Sequence, residues 1–168
     1  VQPTRYRSLS SGMWNTLATW EQSTDGGLSW LPAQGIPSSN DDQITIRPPH
    51  VVTITENRQV DQLLVEQGAR LVIENSSVTV LNGPASDLVN FGEIVVTSGT
   101  LNSRGLVENQ SVINFISGQF RQSDPSSVVG SGLFQYSTDS SLSFNYSIAP
   151  PVIIGNENWW PQTFSPNL

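Results

Sequence analysis

One stretch of this chain nearly repeats itself, and the repetition restricts the fold more than any other feature. Leu88–Leu101 (LVNFGEIVVTSGTL) returns as Leu106–Phe120 (LVENQSVINFISGQF). A slide of 19 residues puts Asn90 on Asn109, Ile94 on Ile113, Val96 on Phe115, Gly99 on Gly118 and Leu101 on Phe120. Leu88 and Leu106 fall one residue out of step, which reads as one turn of altered length. An earlier copy, Val65–Ile73, sets Gly68 against Gly92 at a spacing of 24. Apolar positions held in phase at periods of about 20 residues signify stacked supersecondary units. The units contain short strands and no helix, so each reads as one coil of a parallel β-solenoid. Alternating strands also permit a β-sandwich, but hairpin sheets do not require equivalent residues at a fixed spacing.

The rest of the chain divides around these coils. Residues 1–40 hold Trp14, Trp20 and Trp30, a turn at Asp25-Gly26-Gly27, and little alternation. They read as an amino-terminal cap, because an open solenoid end exposes unpaired strand edges and core. From residue 41 to 125 the pattern is short alternating strands: Ile44/Ile46, Val52/Ile54, Leu63/Val65, Leu71/Ile73, Val78/Val80 and then the two near-copies. β-Branched residues dominate, and Gly, Asn, Asp or Pro mark the breaks. Residues 126–168 return to strands at Leu133–Tyr136, Leu142–Tyr146 and Val152–Ile154, then run into the aromatic stretch Trp159-Trp160-Pro161. This last part reads as final strands plus an exit segment, packed on the solenoid, of a module taken from a larger protein. The expected fold is therefore all-β: a short right-handed parallel β-solenoid with an aromatic N-terminal cap.

Composition narrows the partners. Seven arginines, no lysine and fourteen carboxylates give a net charge of −7. Phosphate backbones need a cationic face, so nucleic acid is not an expected partner. No apolar run is long enough to span a bilayer, so membrane insertion is not expected. Cysteine is absent, which excludes disulfides, thiolate metal sites and cysteine nucleophiles. Low charge, many Ser, Thr and Asn residues and five tryptophans favour an extracellular protein.

Several segments carry a resemblance. They are Ser11-Gly-Met-Trp14 with Ala18-Thr-Trp20, Pro37–Ile46, Val51–Ile54, Leu63–Leu71, Leu142–Tyr146, and Gly155–Pro161 with Pro166-Asn-Leu168. Together they resemble the G8-like, right-handed parallel β-helix modules of large secreted bacterial surface proteins of the adhesin type. The resemblance spans nearly the whole chain and implies export and cell-surface display. Its motifs are structural, and it implies no reaction.

Among candidate sites, the tryptophans come first. Flat aromatic faces pack against the apolar C–H face of a sugar while polar neighbours hold its hydroxyls. Trp14 and Trp20 read as plugs of the solenoid core. Trp30, with Asp25 and Gln34, and the pair Trp159/Trp160 are the candidate ligand platform. Asp41 and Asp42 form an adjacent carboxylate pair, but no calcium loop surrounds them, and they read as turn residues. His50, the sole histidine, lacks a nucleophile elbow and reads as a surface residue. Asn90 and Asn109, at equivalent places, read as an inward ladder that satisfies buried backbone groups. Glu74, Glu93 and Glu108 in the coils do not cluster as a glycosidase pair would. The functional expectation is a non-catalytic extracellular structural or adhesion module of a bacterial surface or secreted protein, with no cofactor and no metal. Its expected partners are the remainder of a parent chain and a polysaccharide or glycan. The alternatives are a carbohydrate-binding module that uses its exposed tryptophans and, more remotely, a fragment of a polysaccharide-active enzyme.

Overall fold

The computed structural model describes residues 3–123 and 128–145. Its strands stack in parallel on three faces of a prism. Face 1 is built from β1 (Arg5–Ser8), β5 (Gln43–Ile46), β8 (Leu63–Val65), β10 (Leu88–Asn90), β12 (Val107–Asn109) and β15 (Val128–Val129). Face 2 holds β2 (Gly12–Met13), β6 (Val51–Ile54), the first halves of β9 (Arg70–Val80) and β11 (Glu93–Ser103), β13 (Val112–Phe115) and β16 (Leu133–Tyr136). Face 3 holds β7 (Arg58–Val60), the second halves of β9 and β11, β14 (Gln119–Gln122) and β17 (Ser141–Phe144). This is a β-solenoid of about 5 turns. Pairing from coil to coil is parallel throughout, so the sandwich alternative is ruled out.

Strand alternation decides which side chains line the interior. On face 1, Ile44, Leu63, Leu88 and Val107 stack in one fully buried column. On face 2, Val52, Leu71, Ile94, Ile113 and Phe134 form a second, and Ile54, Ile73, Val96, Phe115 and Tyr136 a third. The expected pairs Ile94/Ile113 and Val96/Phe115 thus stack directly, with all four side chains at 0% exposure. Burial of each such side chain contributes about 1.5–3 kcal/mol. The inward residues grow larger towards the later coils. Phe115 meets Phe120 at 5.8 Å, Phe134 at 6.4 Å and Tyr136 at 5.0 Å between ring centroids.

The other face 1 column changes character along the rod: Ile46 and Val65 give way to Asn90 and Asn109. Asn90 Nδ2 donates to Asn109 Oδ1 at 2.8 Å and to the Val112 carbonyl at 3.0 Å. Asn109 Nδ2 donates to the Leu133 carbonyl at 3.2 Å. The ladder therefore ties the turns between faces 1 and 2 across three coils, as the equivalent spacing of the two residues implies.

The expected change in turn length at Leu106 is not found. Leu88 pairs with Val107, so the shift of 19 residues holds unbroken from the third coil to the fourth. Leu106 lies in the turn before β12 and donates its N–H to Asp87 Oδ2 at 2.6 Å. The irregular connection comes earlier, at residues 81–87, between β9 and β10.

At the amino end, β3 (Trp20–Ser23) turns back antiparallel to β1, and β4 (Leu31–Pro32) antiparallel to β3. A 3-10 turn at Leu17–Thr19 brings Trp20 beneath Trp14. The two indoles are fully buried, edge to face, with centroids 4.9 Å apart. Each buried N–H finds a carbonyl: Trp14 Nε1 that of Pro37 at 3.1 Å, Trp20 Nε1 that of Trp14 at 2.7 Å. They plug the solenoid end. The cap is not wholly separate from the coils, because β1 and β2 also stack in parallel on β5 and β6.

Candidate binding cleft on the cap

Trp30 follows the tight turn Asp25–Ser29, and the turn is what positions it. Gly26 and Gly27 have φ of 77° and 97°, the left-handed region that a side chain rarely adopts. Asp25 Oδ1 accepts the N–H groups of Leu28 and Ser29, both at 3.0 Å, and the Ser23 hydroxyl at 2.7 Å. Those bonds, from the Ser23 hydroxyl first and then from Ser29, hold the Asp25 carboxyl well below the usual carboxylate range. Asp25 is thereby committed to its own turn. Trp30 Nε1 donates to the Gly27 carbonyl at 3.1 Å, so the indole is pinned and half-buried.

The ring stands beside a cleft of about 220 Å³ on the outer surface of face 1. Alternation along β1 sends Arg5 and Arg7 outward, and alternation along β5 sends Gln43, Thr45 and Arg47 to the same side. The Arg7 guanidinium lies over the Trp30 ring, 4.1 Å from its centroid, a cation–π contact. Glu21 bridges Arg7 and Arg47, the latter at 3.2 Å, and Arg5 pairs with Asp42. Three of the chain's seven arginines thus gather around one aromatic ring, on a protein of net charge −7. These half-buried pairs fix a row of guanidinium N–H donors in place.

Of the anticipated platform residues that are described, Trp30 alone lines this cleft. Gln34 is exposed but is not among the residues lining the cleft; its N–H donates to Gln22 Oε1 at 2.9 Å. Trp159 and Trp160 lie outside the described residues, as does the expected packing of the exit segment. The arginines were missed as site residues, although Arg5-Tyr6-Arg7 carries the period-2 signal that sets two of them on one side of a strand.

Other candidates resolve into structural roles. Asp41 Oδ2 accepts the Ser38 N–H at 2.7 Å and hydroxyl at 3.0 Å, a turn cap as expected. His50 is not a plain surface residue: its Nδ1 lies 2.8 Å from Oγ of the fully buried Ser8, which also accepts the Arg47 N–H at 2.9 Å. Ser8 is sealed from solvent and bonded on two sides, so the pair locks β1 to the turn before β6. Sequence reading missed a further pair. Asp87 is fully buried, its oxygens accepting the N–H groups of Gly83 at 2.7 Å and Leu106 at 2.6 Å. Asp61, one coil earlier, lies beside it. Among the described residues, no three His, Asp or Glu side chains converge as metal ligands would, and no helix is long and apolar enough to cross a membrane.

No family model, no curated protein and no solved structure matches this chain.

Proposed function

We propose that this chain is a non-catalytic structural or adhesion module of a bacterial surface or secreted protein, akin to the G8-like β-helix modules. The observation that supports it most is the continuous buried core, running from the tryptophan plug through five coils. Such a core makes a stiff rod whose side surfaces are free to carry contacts. The side chains with chemical potential near the cap are spent on holding that rod together: Asp25, Asp41 and Asp42 in turns and ion pairs, His50 in its bond to Ser8. In this reading the partners are the remainder of a parent chain and a surface glycan, and the protein works outside the cell. A second reading, carbohydrate binding at the cap, is favoured by the half-exposed Trp30 ring beside its arginine-lined cleft.

The test is display of the domain on a non-adherent bacterium. Attachment to polysaccharide-coated surfaces should rise, with no release of reducing ends from the polymer. Release of reducing ends would replace the module reading with the enzyme-fragment one. A gain in attachment that disappears with Trp30→Ala would place the contact at the cap.

A further inference from the structure

A larger cleft, of about 510 Å³, crosses the corner between faces 1 and 2 at the second and third coils. Its floor is backbone. Gly92 sits so close to the preceding coil that a Cβ there would stand 2.4 Å from the carbonyl oxygens of both Glu66 and Ala69. Gly68, at φ +84°, turns the chain beneath it. One wall is the outward column at the start of face 2, where Val51, Arg70 and Glu93 are in register. Arg70 and Glu93 are joined by an ion pair of 2.6 Å, so this wall offers hydrogen-bonding groups without net charge.

The other wall carries Phe91. Its N–H donates to the Val65 carbonyl just as those of Glu66 and Gln110 donate to the carbonyls of Ile46 and Asn90. Glu66, Phe91 and Gln110 are therefore equivalent residues of successive coils, and the third coil alone of these places an aromatic ring where its neighbours place polar side chains. Phe91 is 46% exposed and is not part of the hydrophobic core. About half of the ring is thus open to solvent at the edge of the cleft.

We propose that this cleft binds a neutral glycan chain, with the Phe91 ring against the C–H face of one sugar and Arg70, Glu93, Gln67 and Ser111 holding its hydroxyls. Aromatic rings beside convergent polar groups suit sugars, which are apolar on their ring faces and polar at their edges. The self-neutralised wall and the net charge of −7 disfavour a polyanion. The inference deepens the adhesion reading by naming its ligand, at a site distinct from the Trp30 cleft.

The experiment is native affinity electrophoresis of the whole chain through gels containing mixed-linkage β-glucan, galactomannan, arabinoxylan or polygalacturonate. At least one neutral polymer should retard the wild type. Phe91→Ala should weaken that retardation about tenfold, the loss of one aromatic contact, with an unchanged melting temperature. Glu93→Gln should weaken it as well, and Trp30→Ala should leave it intact. No retardation by any neutral polymer, retardation by polygalacturonate alone, or full retention in Phe91→Ala would each overturn the inference. Loss in Trp30→Ala with retention in Phe91→Ala would overturn it while leaving the adhesion reading in place at the cap.

Discussion

Asp61 lies where burial and a second carboxylate both oppose its charge. Burial first, and then contact with the Asp87 carboxylate, raise its pKa above the ordinary value of 3.8. The folded chain therefore binds this proton more tightly than the unfolded chain does. The resulting stabilisation is fully present below the unfolded value and is lost as pH rises through the raised one. Asp61→Asn removes the ionisation while preserving shape. We expect it to raise the melting temperature at about pH 7 and to flatten the change between about pH 4 and pH 7. A variant less stable than wild type at neutral pH, with the same pH profile, would show that Asp61 ionises freely. By contrast, the Asn90–Asn109 ladder is built from neutral amides: their Nδ2 groups donate to Asn109 Oδ1 and to the Val112 and Leu133 carbonyls, and Asn90 Oδ1 alone is left buried without a partner.

At the scale of elements, the bends within β9 and β11 let two long strands serve two faces each. Both bends use residues in the left-handed region or near it: Asn75 at φ 51° in β9 and Gly99 at φ 140° in β11. A register shift accompanies the bend, between Val96 and Gly99. Gly99 is required there twice over, for its φ and because a Cβ would come within 2.2 Å of the Ser76 carbonyl oxygen. Gly99→Ala is expected to destabilise the chain by roughly 1–3 kcal/mol, read as a lowered urea midpoint with unchanged slope. An unchanged midpoint would mean that the corner relaxes without strain. Face 2 would then not depend on this bulge for its register.

At the scale of the molecule, the described residues form a one-dimensional stack in which each coil pairs with its neighbours. The first and the later coils of this stack are packed differently: two indoles close the cap, and a cluster of phenyl rings fills the later coils. Phe115 sits at the centre of that cluster, at 0% exposure. Phe115→Ala should destabilise by about 3–5 kcal/mol. In a stack the damage should be local, so amide protection should fall in β13, β14 and β16 while β1 and β5 keep theirs. Uniform loss of protection along the chain would show that the coils unfold as one unit.

What could be read from the chain alone was what strand alternation and a repeated phase encode. The inward columns, the solenoid and the buried Asn90–Asn109 pair all follow from side chains recurring at fixed intervals, and the tryptophan plug from the need to cover the open end of such a stack. Those are local properties, because a strand's period of two holds whatever lies beside it. The lateral neighbours were a different matter. Which residues meet across coils depends on coil length, and coil length is set by turns whose shape rests on close backbone contacts such as those of Gly92 and Gly99. The connection at residues 81–87 moves the register from Leu63 to Leu88, far from the 19-residue step that precedes and follows it. That shift brings Asp87 beside Asp61 and Phe91 beside the Arg70–Glu93 pair. The gathering of Arg5, Arg7 and Arg47 around Trp30 likewise required β1 to stack on β5 and the Asp25 turn to fold back over them. Alternation could place Arg5, Arg7, Arg70 and Glu93 outside the rod, but only the stacked coils decided which side chains share a cleft.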